Sequence, residues 1–142
     1  MNSGVIIVFS KNTTNLNLPK ILDFIDKYKC KICLVNNSND EKILQELRKI
    51  EFERKNIFLL NLRKPKKIKT VVKLATRLLN SSFEFSFIVF LESNDLKKLD
   101  KLDQKLIKIT KDRDSYKSFS NRSKRDIFSH VFSINDVIGS LT

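Results

Sequence analysis

The sequence predicts a single α/β domain of the flavodoxin-like or Rossmann-like type, three layers with a mainly parallel sheet of about five strands across residues 1–142. Two observations carry this. Short apolar runs of strand length recur along the chain, and between them lie longer segments whose apolar residues repeat at helical spacing. A length of 142 residues suits one domain, and 41% hydrophobic residues suffice for a core. No internal repeat or domain linker interrupts the pattern.

"GVIIVFS" is a continuous apolar run, the mark of a strand buried on both faces. "NLPKILDFIDKY" follows as a helix, with Leu18, Ile21, Leu22 and Ile25 on one side and Pro19 in the first turn, where its missing N–H costs nothing. "KICLVNN" reads as the second strand, ended by Asn36 and Asn37. Asp40 is placed to cap the helix "EKILQELRKIEFER", whose apolar stripe is Ile43, Leu44, Leu47 and Ile50. "NIFLLNL" is the third strand. "KKIKTVVKLATRLLNS" is the third helix, with Ile68, Val71, Val72, Ala75, Leu78 and Leu79 on its apolar side.

"FEFSFIVFLES" is the fourth strand. Asn94 or Asp95 is expected to cap a shorter helix, "LKKLDKLDQKL". "LIKIT" reads as a fifth strand, and residues 111–126 as a basic loop without apolar period. "IFSHVFSI" closes the set as a short strand, before a terminal turn or helix begun by Asn135.

The formal charge is +12, from 28 basic and 16 acidic residues. Such an excess speaks of partners rather than of fold, and a polyanion such as RNA is the natural one. No apolar run approaches the roughly 20 residues that span a bilayer, and no signal peptide opens the chain. Lys, Asn, Ile and Phe have AT-rich codons, and their abundance points to an AT-rich genome or an organelle.

Cys30 and Cys33 form a C-x-x-C, yet they fall where a strand begins. Residues three apart on a strand face opposite sides, so two separate buried or half-buried thiols are expected rather than a redox or zinc pair. His130 is the only histidine. It has no partner at a spacing that suggests catalysis.

In open α/β sheets, ligands gather beyond the carboxyl ends of the strands. Here those ends read Ser10-Lys11-Asn12, Asn36-Asn37-Ser38, Leu62-Arg63-Lys64 and Glu92-Ser93-Asn94-Asp95. None carries the glycines that let backbone amides cradle a phosphate, which argues against a dinucleotide or triphosphate site. Glu92 and Asp95 read as solvated strand-end and helix-cap groups rather than metal ligands.

The basic clusters are more informative. "LRKPKKIKTVVKLATR" holds seven cations and no acid. Arg63, Lys64, Lys66, Lys67 and Lys69 lie within seven residues, with Pro65 extending the chain. Lys69, Lys73 and Arg77 line one helix side at four-residue spacing. A second cluster, Lys111, Arg113, Lys117, Arg122, Lys124 and Arg125, is interleaved with Tyr116 and Phe119. Cations hold phosphates while aromatic planes stack on unpaired bases.

Two resemblances follow from particular segments. "NTTNLNLPKILDFIDKYKCKICLVNNS", then "FSFIVFLESNDLKK", then the tail "FSINDVIGSLT" resemble, in order and spelling, the small-subunit ribosomal protein two family in a shortened organellar form. Asn135, Asp136 and Ser140 fall at or beside that tail's polar positions. The resemblance implies a structural role on ribosomal RNA, among neighbouring ribosomal proteins, in a mitochondrial ribosome. "IIVFSKNTTNLNLPKILDFI", "CLVNNSNDE" and "FIVFLESND" are also similar to the first half of family-two glycosyltransferases. That likeness implies nucleotide contacts for Asn37 and Asp40 and a metal pair at Glu92 and Asn94, where Asn94 stands in place of an acid.

The expectation is thus an RNA-binding structural constituent of the small ribosomal subunit. It carries no catalytic residue, metal or cofactor, and has no membrane or small-molecule partner. The alternative is a partial nucleotide-sugar-binding domain.

Overall fold

A computed structural model describes residues 3–10, 18–28, 30–81, 87–98, 101, 131–135 and 137. Along the chain these form β1 (Ser3–Ser10), α1 (Leu18–Tyr28), β2 (Lys31–Asn37), α2 (Glu41–Glu53), β3 (Ile57–Asn61), α3 (Ile68–Asn80), β4 (Phe87–Glu92), a 3-10 turn (Ser93–Lys98) and β5 (Val131–Ser133). The five strands form one all-parallel sheet in the order β3-β2-β1-β4-β5. This matches the first five positions of the Rossmann order 3-2-1-4-5-6 rather than the flavodoxin order 2-1-3-4-5.

The uninterrupted apolar runs follow from cover on both faces. In β1, Val5, Ile7 and Phe9 point to one side, while Ile6 and Val8 point to the other. The first side packs Ile21, Phe24 and Ile25 of α1 and Ile43, Leu47 and Ile50 of α2 against Ile32, Leu34, Val89, Leu91 and Phe132. The second side is covered by α3, whose Val71, Val72, Ala75 and Leu79 meet Cys33, Val35, Ile88 and Val131. Each fully buried side chain of this kind stabilises by roughly 1.5–3 kcal/mol before the entropy of ordering it is subtracted.

Local signals agree with these elements. Asp40 caps α2: its carboxylate accepts from the N–H of Lys42 at 2.8 Å and of Ile43 at 3.4 Å. Asn39 just before it takes a left-handed backbone, φ 59°, which asparagine tolerates better than most residues. The expected stripe Ile43, Leu44, Leu47 and Ile50 is the buried side of α2.

One expectation changes within the described residues. The segment after β4 does not wait for a cap at Asn94 or Asp95; it turns immediately as a 3-10 helix from Ser93. An ion pair of Asp95 with Lys98 at 3.1 Å closes that turn, and Lys98 also donates to the Asn135 side chain at 2.6 Å. The final short strand expected in "IFSHVFSI" is present among the described residues as β5, Val131–Ser133. The proposed strand "LIKIT", the basic loop 111–126 and His130 lie outside the described residues.

Cys30 and Cys33 are both buried and are not joined in a disulfide. Cys30 belongs to the core half under α1 and α2, Cys33 to the half under α3, so the sheet separates them. Burial, aided by the negative charge of Glu51, pushes the Cys33 thiol up to about 12.

Candidate nucleic-acid interface

The candidate surface is built where β2 and β3 end. Leu62, the residue after β3, donates its N–H to the carbonyl of Asn36 at 3.1 Å, which continues the ladder beyond the strand. The chain then leaves the sheet as an exposed loop, Arg63, Lys64, Pro65, Lys66 and Lys67, and enters α3 at Ile68.

This loop is anchored rather than free-hanging. The Asn37 side chain donates to the carbonyl of Lys66 at 2.9 Å and accepts from the Lys66 N–H at 2.8 Å. Both bonds use the Lys66 backbone, so its ammonium remains available. Beside it, the Asn36 amide donates to the Asn61 side chain at 3.0 Å, and its carbonyl oxygen accepts from Ser38 through both the N–H and the hydroxyl. Asn36, Asn37 and Ser38 are buried polar residues that satisfy one another or nearby backbone.

α3 extends the cationic surface. Its apolar side lies on the sheet, while Lys69, Lys73 and Arg77 are exposed. Four residues advance about 6 Å along a helix axis, so these three cations form a gently drifting row about 12 Å long. Among the described residues no side chain caps the helix start at Lys67, and its first turn holds no acid. The uncapped N–H groups therefore add their partial positive charge to that of the loop. Residues 62–80 contain no Asp or Glu. Among the described residues none of Arg63, Lys64, Lys66, Lys67, Lys69, Lys73 and Arg77 takes part in an ion pair. The result is a surface of one sign on a rigid support.

The structure thus brings together the first seven expected RNA-binding residues. The other six, Lys111, Arg113, Lys117, Arg122, Lys124 and Arg125, lie outside the described residues. Sequence reasoning missed the anchor. Its signal was present as two asparagines closing an apolar strand, in "LVNN", where a polar pair must find partners once buried.

The carboxylates at the strand ends are otherwise engaged or isolated. Asp40 caps α2 and Asp95 pairs with Lys98. Glu92 and Asn94 are exposed, Glu92 at the end of β4. Among the described residues no group of three His, Cys, Asp or Glu could hold a metal ion, and no helix is long and apolar enough to cross a membrane.

One large apolar side chain stands apart from the core. Phe52, on the outer side of α2, is 93% exposed, beside Arg48, Lys49 and Glu53.

Neither a protein-family model nor any curated protein sequence matches this chain.

Proposed function

We propose that this chain is a structural constituent of a small ribosomal subunit, in the mitochondrial ribosome, and that it holds ribosomal RNA by phosphate contacts. The observation that carries this reading is the acid-free, exposed row from Arg63 to Arg77, fixed to the sheet by the Asn37–Lys66 bonds. Lysine and arginine on a preformed support neutralise phosphates and release counterions, which gives affinity without sequence readout. The particle and compartment rest on the resemblance of "PKILDFIDKYKCKICLVNNS" and "FSINDVIGSLT" to the ribosomal protein two family. The role is architectural, with no reaction assigned. Phe52, with a rim of mixed charge, suits contact with a neighbouring protein of the particle better than with a polyanion.

The test is assembly of a variant carrying Arg63→Glu, Lys64→Glu, Lys66→Glu and Lys67→Glu. All four side chains are exposed, and the Lys66 clamp uses backbone atoms only, so the domain should keep its fold. In sucrose gradients the wild-type chain should travel with the small subunit and leave it at high salt, while the variant should stay near the top. Normal incorporation of the folded variant would refute this role for the cluster.

A second reading is favoured by one feature. Glu92 stands exposed at the carboxyl edge of β4, beside β1, where open α/β sheets take ligands. A partial nucleotide-sugar domain would use it with a divalent ion. That reading requires the purified protein to bind a nucleotide sugar with the ion, and Glu92→Ala to abolish binding.

A further inference from the structure

Binding unpaired RNA and binding an RNA double helix demand different surfaces. Single strands are held by cations set beside aromatic planes, on which the exposed bases stack. A duplex hides its base faces and offers phosphates at regular steps, so cations alone serve it. The surface from Arg63 to Arg77 is of the second kind. Its exposed residues are Arg63, Lys64, Pro65, Lys66, Lys67, Ile68, Lys69, Thr70, Lys73 and Arg77, with no aromatic among them. Among the described residues the exposed aromatic is Phe52 of α2, which packs on the opposite face of the sheet from α3.

The row on α3 is also regular. Lys69, Lys73 and Arg77 advance about 6 Å per step along a rigid axis. This spacing lets each meet its own phosphate along one strand of a helix, instead of three cations competing for one. The support is stiff, because the other side of α3 is locked into the core by Val71, Val72, Ala75 and Leu79. A rigid, evenly spaced row selects a rigid, evenly charged partner, whereas a flexible single strand loses conformational freedom to fit it.

We infer that the α3 row Lys69, Lys73 and Arg77 binds the phosphate backbone of double-helical RNA, independent of sequence and in preference to unpaired RNA. This rests on the RNA-binding reading above and narrows it to one conformational class of RNA at one surface.

The experiment compares the full chain with a variant carrying Lys69→Gln, Lys73→Gln and Arg77→Gln, checked for folding by circular dichroism. The probes are a 16-base-pair RNA hairpin stem of arbitrary sequence and an unstructured oligouridine of equal charge, titrated at several salt concentrations. The expected result has three parts. The variant loses about ten-fold or more in hairpin affinity. Its hairpin salt slope falls by about three phosphate contacts. Its oligouridine affinity falls by a clearly smaller factor than its hairpin affinity. Equal losses on both probes, or no loss on the hairpin, would overturn the duplex assignment while leaving RNA binding in place. Failure of the wild-type chain to bind either probe would overturn the RNA-binding reading itself, and this inference with it.

Discussion

Asn37 and Lys66, 29 residues apart, exchange two hydrogen bonds: the asparagine amide donates to the lysine carbonyl at 2.9 Å, and the lysine N–H donates back at 2.8 Å. The pair fixes the loop that leaves β3 against the end of β2. Asn37→Ala removes both partners at once and leaves two backbone groups in search of water. It should lower stability by about 1–2 kcal/mol. RNA affinity should also fall, because the loop's cations lose their fixed positions. Urea unfolding and hairpin titration of the same variant check the two effects together.

Cys33 gives the domain a pH dependence of known sign. In the unfolded chain its thiol ionises near the ordinary 9.0, while in the fold burial holds it protonated to about 12. Between these values the unfolded state releases a proton that the folded state keeps. The contribution to stability is therefore complete below about pH 9 and is lost as pH rises toward 12. Urea midpoints at pH 8 and pH 10 for wild type and Cys33→Ala isolate it. Wild type should lose about 1 kcal/mol more than the variant over that interval. A maleimide reagent should leave Cys33 unlabelled until the protein is unfolded.

Thr76 lies on the buried side of α3, and its hydroxyl has no hydrogen-bond partner among the described residues. A valine has nearly the same shape without the stranded polar atom. Thr76→Val should raise stability by about 1 kcal/mol, read as a higher thermal midpoint, with RNA binding unchanged. A fall in the midpoint would mean that the hydroxyl is satisfied in solution.

Two apolar residues of α2 should behave in opposite ways. Leu47 is fully buried, and Phe52 is 93% exposed. Leu47→Ala should cost about 2–5 kcal/mol through lost burial and the cavity left behind. Phe52→Ser should change stability by less than about 0.5 kcal/mol. Its effect, if Phe52 is a contact for a neighbouring protein, should appear only in assembly. Denaturant unfolding of both variants beside sucrose-gradient incorporation of Phe52→Ser separates the two roles.

Much of this architecture was legible before any coordinates. Continuous apolar runs identify strands covered on both faces, and "GVIIVFS" is such a run because helices lie on both sides of β1. The stripe of α2 and its Asp40 cap were readable because their spacing is local. The strand order was not, since flavodoxin-like and Rossmann-like chains share the same alternation of elements. The order is decided when α3 carries the chain back across β2 and β1 to β4, a long-range packing event that leaves no periodic trace. The same reasoning explains the site. The lysines and arginines announce themselves in sequence, but the bonds that hold their loop join residues 29 apart. The early 3-10 turn after β4 depends on the Asp95–Lys98 pair and the reach of Lys98 to Asn135. The second of those contacts spans 37 residues.

The helix that wears the cations is also the cover of half the core. Like charges four residues apart on one helix side repel, so α3 in the free protein carries a lateral electrostatic load. A polyanion laid along Lys69, Lys73 and Arg77 would relieve that load, on the helix whose Val71, Val72, Ala75 and Leu79 are packed on the sheet. Binding at that row would therefore couple to the stability of the fold through a single element, and removal of the counter-charge would loosen the roof over that half of the core.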